Sequence, residues 1–315
     1  MKLQTSVPLS KAQNSIDYTS TIFLMGSCFS ENIGDKFSYF KFQSTQNPFG
    51  ILFHPLAIEK LITRALTDKK YDASDIFEFQ ERWLTFDAHS SVGQNSGENL
   101  IDTLNNALLK TKTQLEKASH VIITLGTAWV YRHLTRDVIV ANCHKVPQKE
   151  FEKKLLGIDE IVASLHRMIQ LVHSVTKNAE CIFTISPVRH LKDGFVENQL
   201  SKAHLIAAIH QLQNENVNYF PSYEIMMDEL RDYRFYDSDM VHPNGLAIDY
   251  IWEKFMSTWI SEEVYSIMNE VQSIQKGVSH RAFNPNSEAH KTFEKNLRVK
   301  IEYLQKKYPS IKFDT

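Results

Sequence analysis

Short, wholly apolar runs alternate along this chain with longer stretches whose apolar positions recur every three or four residues. The first run is "TIFLMG" (21–26), followed by "ENIGDKFSYF" at helical spacing. "ENLIDTLNNALLKTKTQLEKA" (98–118) leads straight into "HVIITLG" (120–126), and "DEIVASLHRMIQLVHSVTKNA" (159–179) into "ECIFTISP" (180–187). A further amphipathic stretch at 196–213 precedes "VNYFPS" (217–222), and "NGLAIDYIWEKFMSTWI" (244–260) reads as a closing helix. Apolar strands alternating with helices indicate a parallel sheet covered on both faces. The pattern predicts an α/β fold with five mainly parallel strands near 21–26, 38–44, 120–125, 180–186 and 216–220. Residues 76–92 and 127–141 carry β-rich runs with turn residues between them, the second a hairpin turning near Thr135–Asp137. Residues 261–315 are more polar, with a Lys-rich helix at 288–307. They read as a C-terminal extension packed on a domain of residues 1–260.

Composition narrows the function classes. Hydrophobic residues make up 43% and charged residues 23% of 315, the balance of a globular protein. Lys and Arg total 35 against 37 Asp and Glu, so no basic excess points to nucleic acid and no charge block to a membrane surface. No apolar run reaches the ~20 residues that span a bilayer, and residues 1–20 lack the apolar core of a signal peptide. Three cysteines, an odd and sparse set, fit a reducing cytoplasm.

Ligands of open α/β sheets bind beyond the carboxyl ends of the strands, and four segments converge there. Gly26-Ser27-Cys28 sets two nucleophile types where a strand hands over to a helix. A helix N-terminus lowers the pKa of a nearby thiol, which favours Cys28, with Ser27 bonding the turn backbone. Alternatively, Cys28 is a buried apolar residue and Ser27 only an N-cap. In "DSDMVHPNG" (237–245), Asp239 and His242 can supply a base and the carboxylate that orients it, with Asn244 a plausible helix cap. Gly126, in "TLGTAW", and Gly50, in "NPFGI", can each aim a backbone N–H at a developing oxyanion. Asn142 and His144 in "ANCHKVP" follow the hairpin and can return to the same edge. The Cys143-His144-Lys145 run lacks the spacing of a metal site, and neither metal nor cofactor is expected. Arg189 and His190 in "SPVRHLKDG" sit just past a strand and can pair with an anionic substrate.

Taken in this order, these motifs resemble the SGNH/GDSL hydrolases. "GSCFS" (26–30), "NPFGILFHP", "NCHK", "SPVRH" and "DMVHPN" resemble more narrowly the GSCFA family, a distant relative of that group, over roughly residues 20–260. The resemblance implies a flavodoxin-like three-layer fold and hydrolysis or transfer of an ester-linked acyl group of a small molecule or glycan. A gapless match puts Ser27 on the aspartate and Cys28 on the serine of Gly-Asp-Ser, and Trp129 on an oxyanion-binding asparagine. His242 is then expected to accept the nucleophile's proton. Two other classes compete: a catalytically degraded binding protein that keeps the pocket, and a nucleotide-binding Rossmann protein. "GSCFSENIG" lacks the G-x-G-x-x-G of the latter.

Overall fold

The computed structural model describes residues 5–212 and 217–313. Its centre is a five-stranded, all-parallel sheet. Strand β1 (Thr21–Gly26) passes through helix α1 (Cys28–Tyr39) to β2 (Gln43–Gln46), and helix α2 (Pro55–Leu66) follows. A small hairpin of β3 (Phe77–Phe79) and β4 (Arg82–Leu84) precedes helix α3 (Gly97–Leu115), which leads to β5 (His120–Leu125). From the carboxyl end of β5 rises a three-stranded antiparallel sheet of β6 (Trp129–His133), β7 (Val138–Val140) and β8 (Phe151–Leu155), with β6 central. Helix α4 (Ile158–Val175), β9 (Glu180–Ile185), α5 (Phe195–His210) and β10 (Val217–Phe220) complete the alternation. The short turn α6 (Ser222–Glu224), then α7 (Gly245–Trp259), α8 (Tyr265–Val278) and α9 (Glu288–Lys307) close the chain. The main sheet runs β10-β9-β5-β1-β2.

Successive side chains of a strand point to opposite faces, and the central strands are apolar on both. Phe23, Met25, Val121 and Ile123 face a core shared with α2 to α5, whereas Ile22, Leu24 and Ile122 face a second core under α1, α7 and α8. Two covered faces make three layers. The C-terminal helices belong to the second core: Ile301 and Leu304 of α9 are buried there with Ile311 and Phe313.

The expected strand at 38–44 is shorter and later. Residues 38 and 39 finish α1, because Phe37 is wholly buried against Phe42, Trp252 and Phe255 and holds the helix to its last turn. β8 went unforeseen because "FEKKL" is polar; pairing with β6 makes it a strand. The expected ends at residues 213 and 216 lie outside the described residues. Among the described residues no helix is long and apolar enough to cross a membrane.

Candidate active site

The carboxyl ends of β1, β5 and β9 meet at one edge of the sheet. Gly26 turns the chain there with φ +143°, and a Cβ on it would lie 2.1 Å from the Thr124 carbonyl oxygen, so only glycine fits. Its N–H donates to Asn47 Oδ1 (2.9 Å), and its carbonyl accepts from the Leu52 N–H (2.8 Å). The "NPFG" loop is thereby tied to the Gly26 turn. Ser27 donates its N–H to Thr124 O at 3.1 Å, while its side chain is wholly buried and Oγ has no hydrogen-bond partner. The expected bond from that hydroxyl to the turn backbone is not made. Cys28 opens α1 and is partly exposed.

The thiol does not ionise as the helix terminus alone would dictate. Burial pushes it up, Glu31 on the first turn of α1 pushes the same way, and Lys202 with the Phe29 and Cys28 N–H groups pulls it back only in part. The expectation of a lowered Cys28 pKa is therefore overturned. Desolvation and a nearby carboxylate outweigh the partial charge of one helix end.

Neither glycine amide is free for an oxyanion. The Gly126 N–H donates to Phe53 O (2.7 Å), which also accepts from Thr127 (2.9 Å). Gly50, at φ +71°, closes its own turn onto Asn47 O at 2.8 Å. Trp129 spends its indole N–H on Glu197 O (3.2 Å). At the same edge the first N–H groups of α1, those of Cys28 and Phe29, face the Cys28 sulfur.

Asp239 and His242 form the pair that the Asp-x-x-His spacing predicts. His242 Nδ1 lies 2.6 Å from Asp239 Oδ2, and Asp239 Oδ1 accepts from the N–H groups of Val241 (2.8 Å) and His242 (3.0 Å). These bonds, the His242 backbone N–H foremost, hold the exposed carboxyl down at about 2. Asn244 caps α7 by accepting from Ala247 at 3.1 Å, which anchors the loop. From the far side Arg189 clamps it: the guanidinium donates to Met240 O, and the Arg189 N–H donates to Val241 O at 3.2 Å. Arg189 also lies over the Tyr236 ring at 4.3 Å. These contacts position the His242 loop, while Arg189 Nε has no hydrogen-bond partner. His190 is half-buried against Phe53, ring centroids 5.4 Å apart, and its buried Nε2 has no hydrogen-bond partner. Burial, then the charges of Lys202 and His242, push it down to about 3, so it stays neutral.

Lys202 is the residue that sequence reasoning missed. It sits on the buried stripe of α5 with Asn198, Ser201 and Leu205, and its Nζ donates to Gly126 O and Ser186 O, both at 2.8 Å. The signal was present: a lysine on the helix face that continues into Leu205, Ala208 and Ile209 is uncommon without a specific partner.

Asn142 and His144 stand apart from this cluster. They line a cavity of about 540 Å³ between the three-stranded sheet and Phe53, with Thr127, Trp129 and Lys192. His144 is buried, its Nδ1 2.9 Å from Ser90 Oγ and its Nε2 2.6 Å from Thr85 O; Asn142 Oδ1 accepts the His144 N–H at 2.8 Å. Burial lowers its pKa. With both nitrogens engaged, His144 is a structural group. His144→Ala is expected to cost about 2–3 kcal/mol of stability in urea unfolding, since it orphans buried partners, and to change turnover less than threefold. A loss of rate exceeding that of His242→Ala would make His144 the base.

Residues 21–255 match the family model described as the GSCFA family, and residues 271–315 match that of the GSCFA domain protein, C-terminal domain. No curated protein matches the chain.

Proposed function

This chain belongs to the GSCFA family, and from that premise we propose that it hydrolyses or transfers an ester-linked acyl group of a small molecule or glycan. The observation that carries this reading is the 2.6 Å Asp239–His242 pair, fixed by a capped helix and the Arg189 clamp at the edge where a thiol opens α1. Cys28 Sγ attacks the ester carbonyl, forming a thioester as the C–O bond breaks. The thiol proton passes to a base as the S–C bond forms and returns to sulfur when the thioester is cleaved. Protonated His242 gives a proton to the leaving oxygen and takes one back from the water or alcohol that releases the acyl group. Asp239 fixes the tautomer by holding Nδ1. The cavity beyond Phe53 is suited to the part of the substrate that does not react. A thiol nucleophile also suits a reducing cytoplasm.

The consumed N–H groups of Gly126, Gly50 and Trp129 favour a second reading, an SGNH-like binding protein without turnover. A panel of p-nitrophenyl esters of graded acyl length separates the two. The enzyme reading expects p-nitrophenol release with a kcat/KM that depends on acyl length. The binder reading expects saturable binding of the same esters and no release above buffer.

A further inference from the structure

Among the described residues, Lys202 is a wholly buried lysine whose only hydrogen-bond acceptors are two carbonyl oxygens, Gly126 O and Ser186 O at 2.8 Å. An amine, with two N–H groups and one lone pair, is satisfied there. An ammonium would bury a third N–H without an acceptor. The carbonyls sit at the ends of β5 and β9, beside the end of β1 from which Cys28 follows. Of the charged groups around the thiol, Glu31 and Lys202 act on it most. The groups around Lys202 are Cys28 on α1, His190 after β9, and Glu224 with the Tyr223 ring on α6. Burial keeps His190 neutral and Glu224 is already held by the Tyr219 hydroxyl at 2.7 and 2.8 Å, which leaves Cys28 as the group that can give Lys202 a proton.

We propose that Lys202 is the acceptor of the Cys28 thiol proton, so that the Asp239–His242 pair serves the leaving oxygen and the incoming water or alcohol. This transfers to Lys202 a step that sequence alone assigns to His242, and it rests on Cys28 being the nucleophile of the reaction proposed above. The proton moves from Sγ to Nζ, and the thiolate forms the S–C bond. The alkoxide leaves with a proton from protonated His242. Water then gives its proton to His242 and its hydroxide to the acyl carbon, and the freed thiolate takes its proton back from the Lys202 ammonium. The resting structure has no Sγ–Nζ hydrogen bond, so the proton crosses once the two side chains approach or water bridges them. Burial pushes the Lys202 ammonium down to about 7, where a base is half free at neutral pH.

The test is the pH profile of Cys28 alkylation by iodoacetamide, read peptide by peptide with Cys143 as internal reference. Two groups sharing one proton keep a constant thiolate fraction between their macroscopic pKa values. Wild type is thus expected to alkylate at a flat rate between about pH 7.5 and 8.5. Lys202→Met should lose the plateau and climb about tenfold per pH unit toward a raised thiol pKa. Lys202→Arg, which keeps the charge but cannot accept a proton, should give one inflection and no plateau, while His242→Ala should keep it. A single inflection in wild type overturns the proposal, as does a plateau lost in His242→Ala and kept in Lys202→Met. If Lys202→Met does not fold, the wild-type and Lys202→Arg profiles decide. No ester enters this assay, so a plateau in wild type without turnover of any ester would count against the esterase reading alone.

Discussion

Cys28→Ala is expected to bring ester turnover to background, a fall on the order of 10³-fold or more in kcat, because it removes the bond-forming atom. Cys28→Ser should retain a measurable fraction, since an oxygen at the same position can still attack. Ser27→Ala is the informative companion. Its Oγ is wholly buried and unpartnered, so truncation costs the site nothing and relieves a buried hydroxyl. That variant should keep wild-type kcat/KM, with stability equal or slightly higher in urea unfolding. Full activity in Cys28→Ala with none in Ser27→Ala would make Ser27 the nucleophile, reached only by opening the turn.

His242→Ala should lower kcat on the order of 10³-fold, the range of a general acid–base group acting in both half-reactions. Its side chain is about half exposed, so the urea midpoint should barely move. Asp239→Asn should cost less, because it disturbs the tautomer while leaving the imidazole in place. The sign of the pH dependence follows from the Asp239 carboxyl being held down at about 2. Asp239 stays ionised as pH falls through 4, so an acid limb of kcat/KM above pH 4 belongs to another group. If Asp239→Asn abolishes that limb without changing the plateau rate, the carboxylate itself is titrating and the assignment fails.

Much of the framework was legible because its signals are local. Strands 21–26 and 120–125 and the helix at 288–307 fall where their patterns end. A strand buried on both faces must be apolar throughout, and an edge helix must show its stripe. β8 was illegible for the converse reason: its polar residues become a strand only through pairing with β6. The resemblance carried by "GSCFS" and Asp-x-x-His held at the level of family, and the turn it names is the one that Gly26 alone can make.

The Asp239–His242 contact was legible in sequence, since a three-residue spacing inside one short loop can bring the two side chains together, and the Arg189 clamp and the Asn244 cap hold the loop that does so. The state of the rest of the site was decided by tertiary structure. Gly126 lost its N–H to Phe53, a residue 73 positions earlier in the chain, and Arg189 was drawn to a loop 51 residues away. Lys202 found its hydrogen-bond acceptors in carbonyls 76 and 16 residues distant. Sequence names the groups that can titrate or donate. Burial and long-range acceptors settle which do, because a pKa or a free N–H is a property of what surrounds the group.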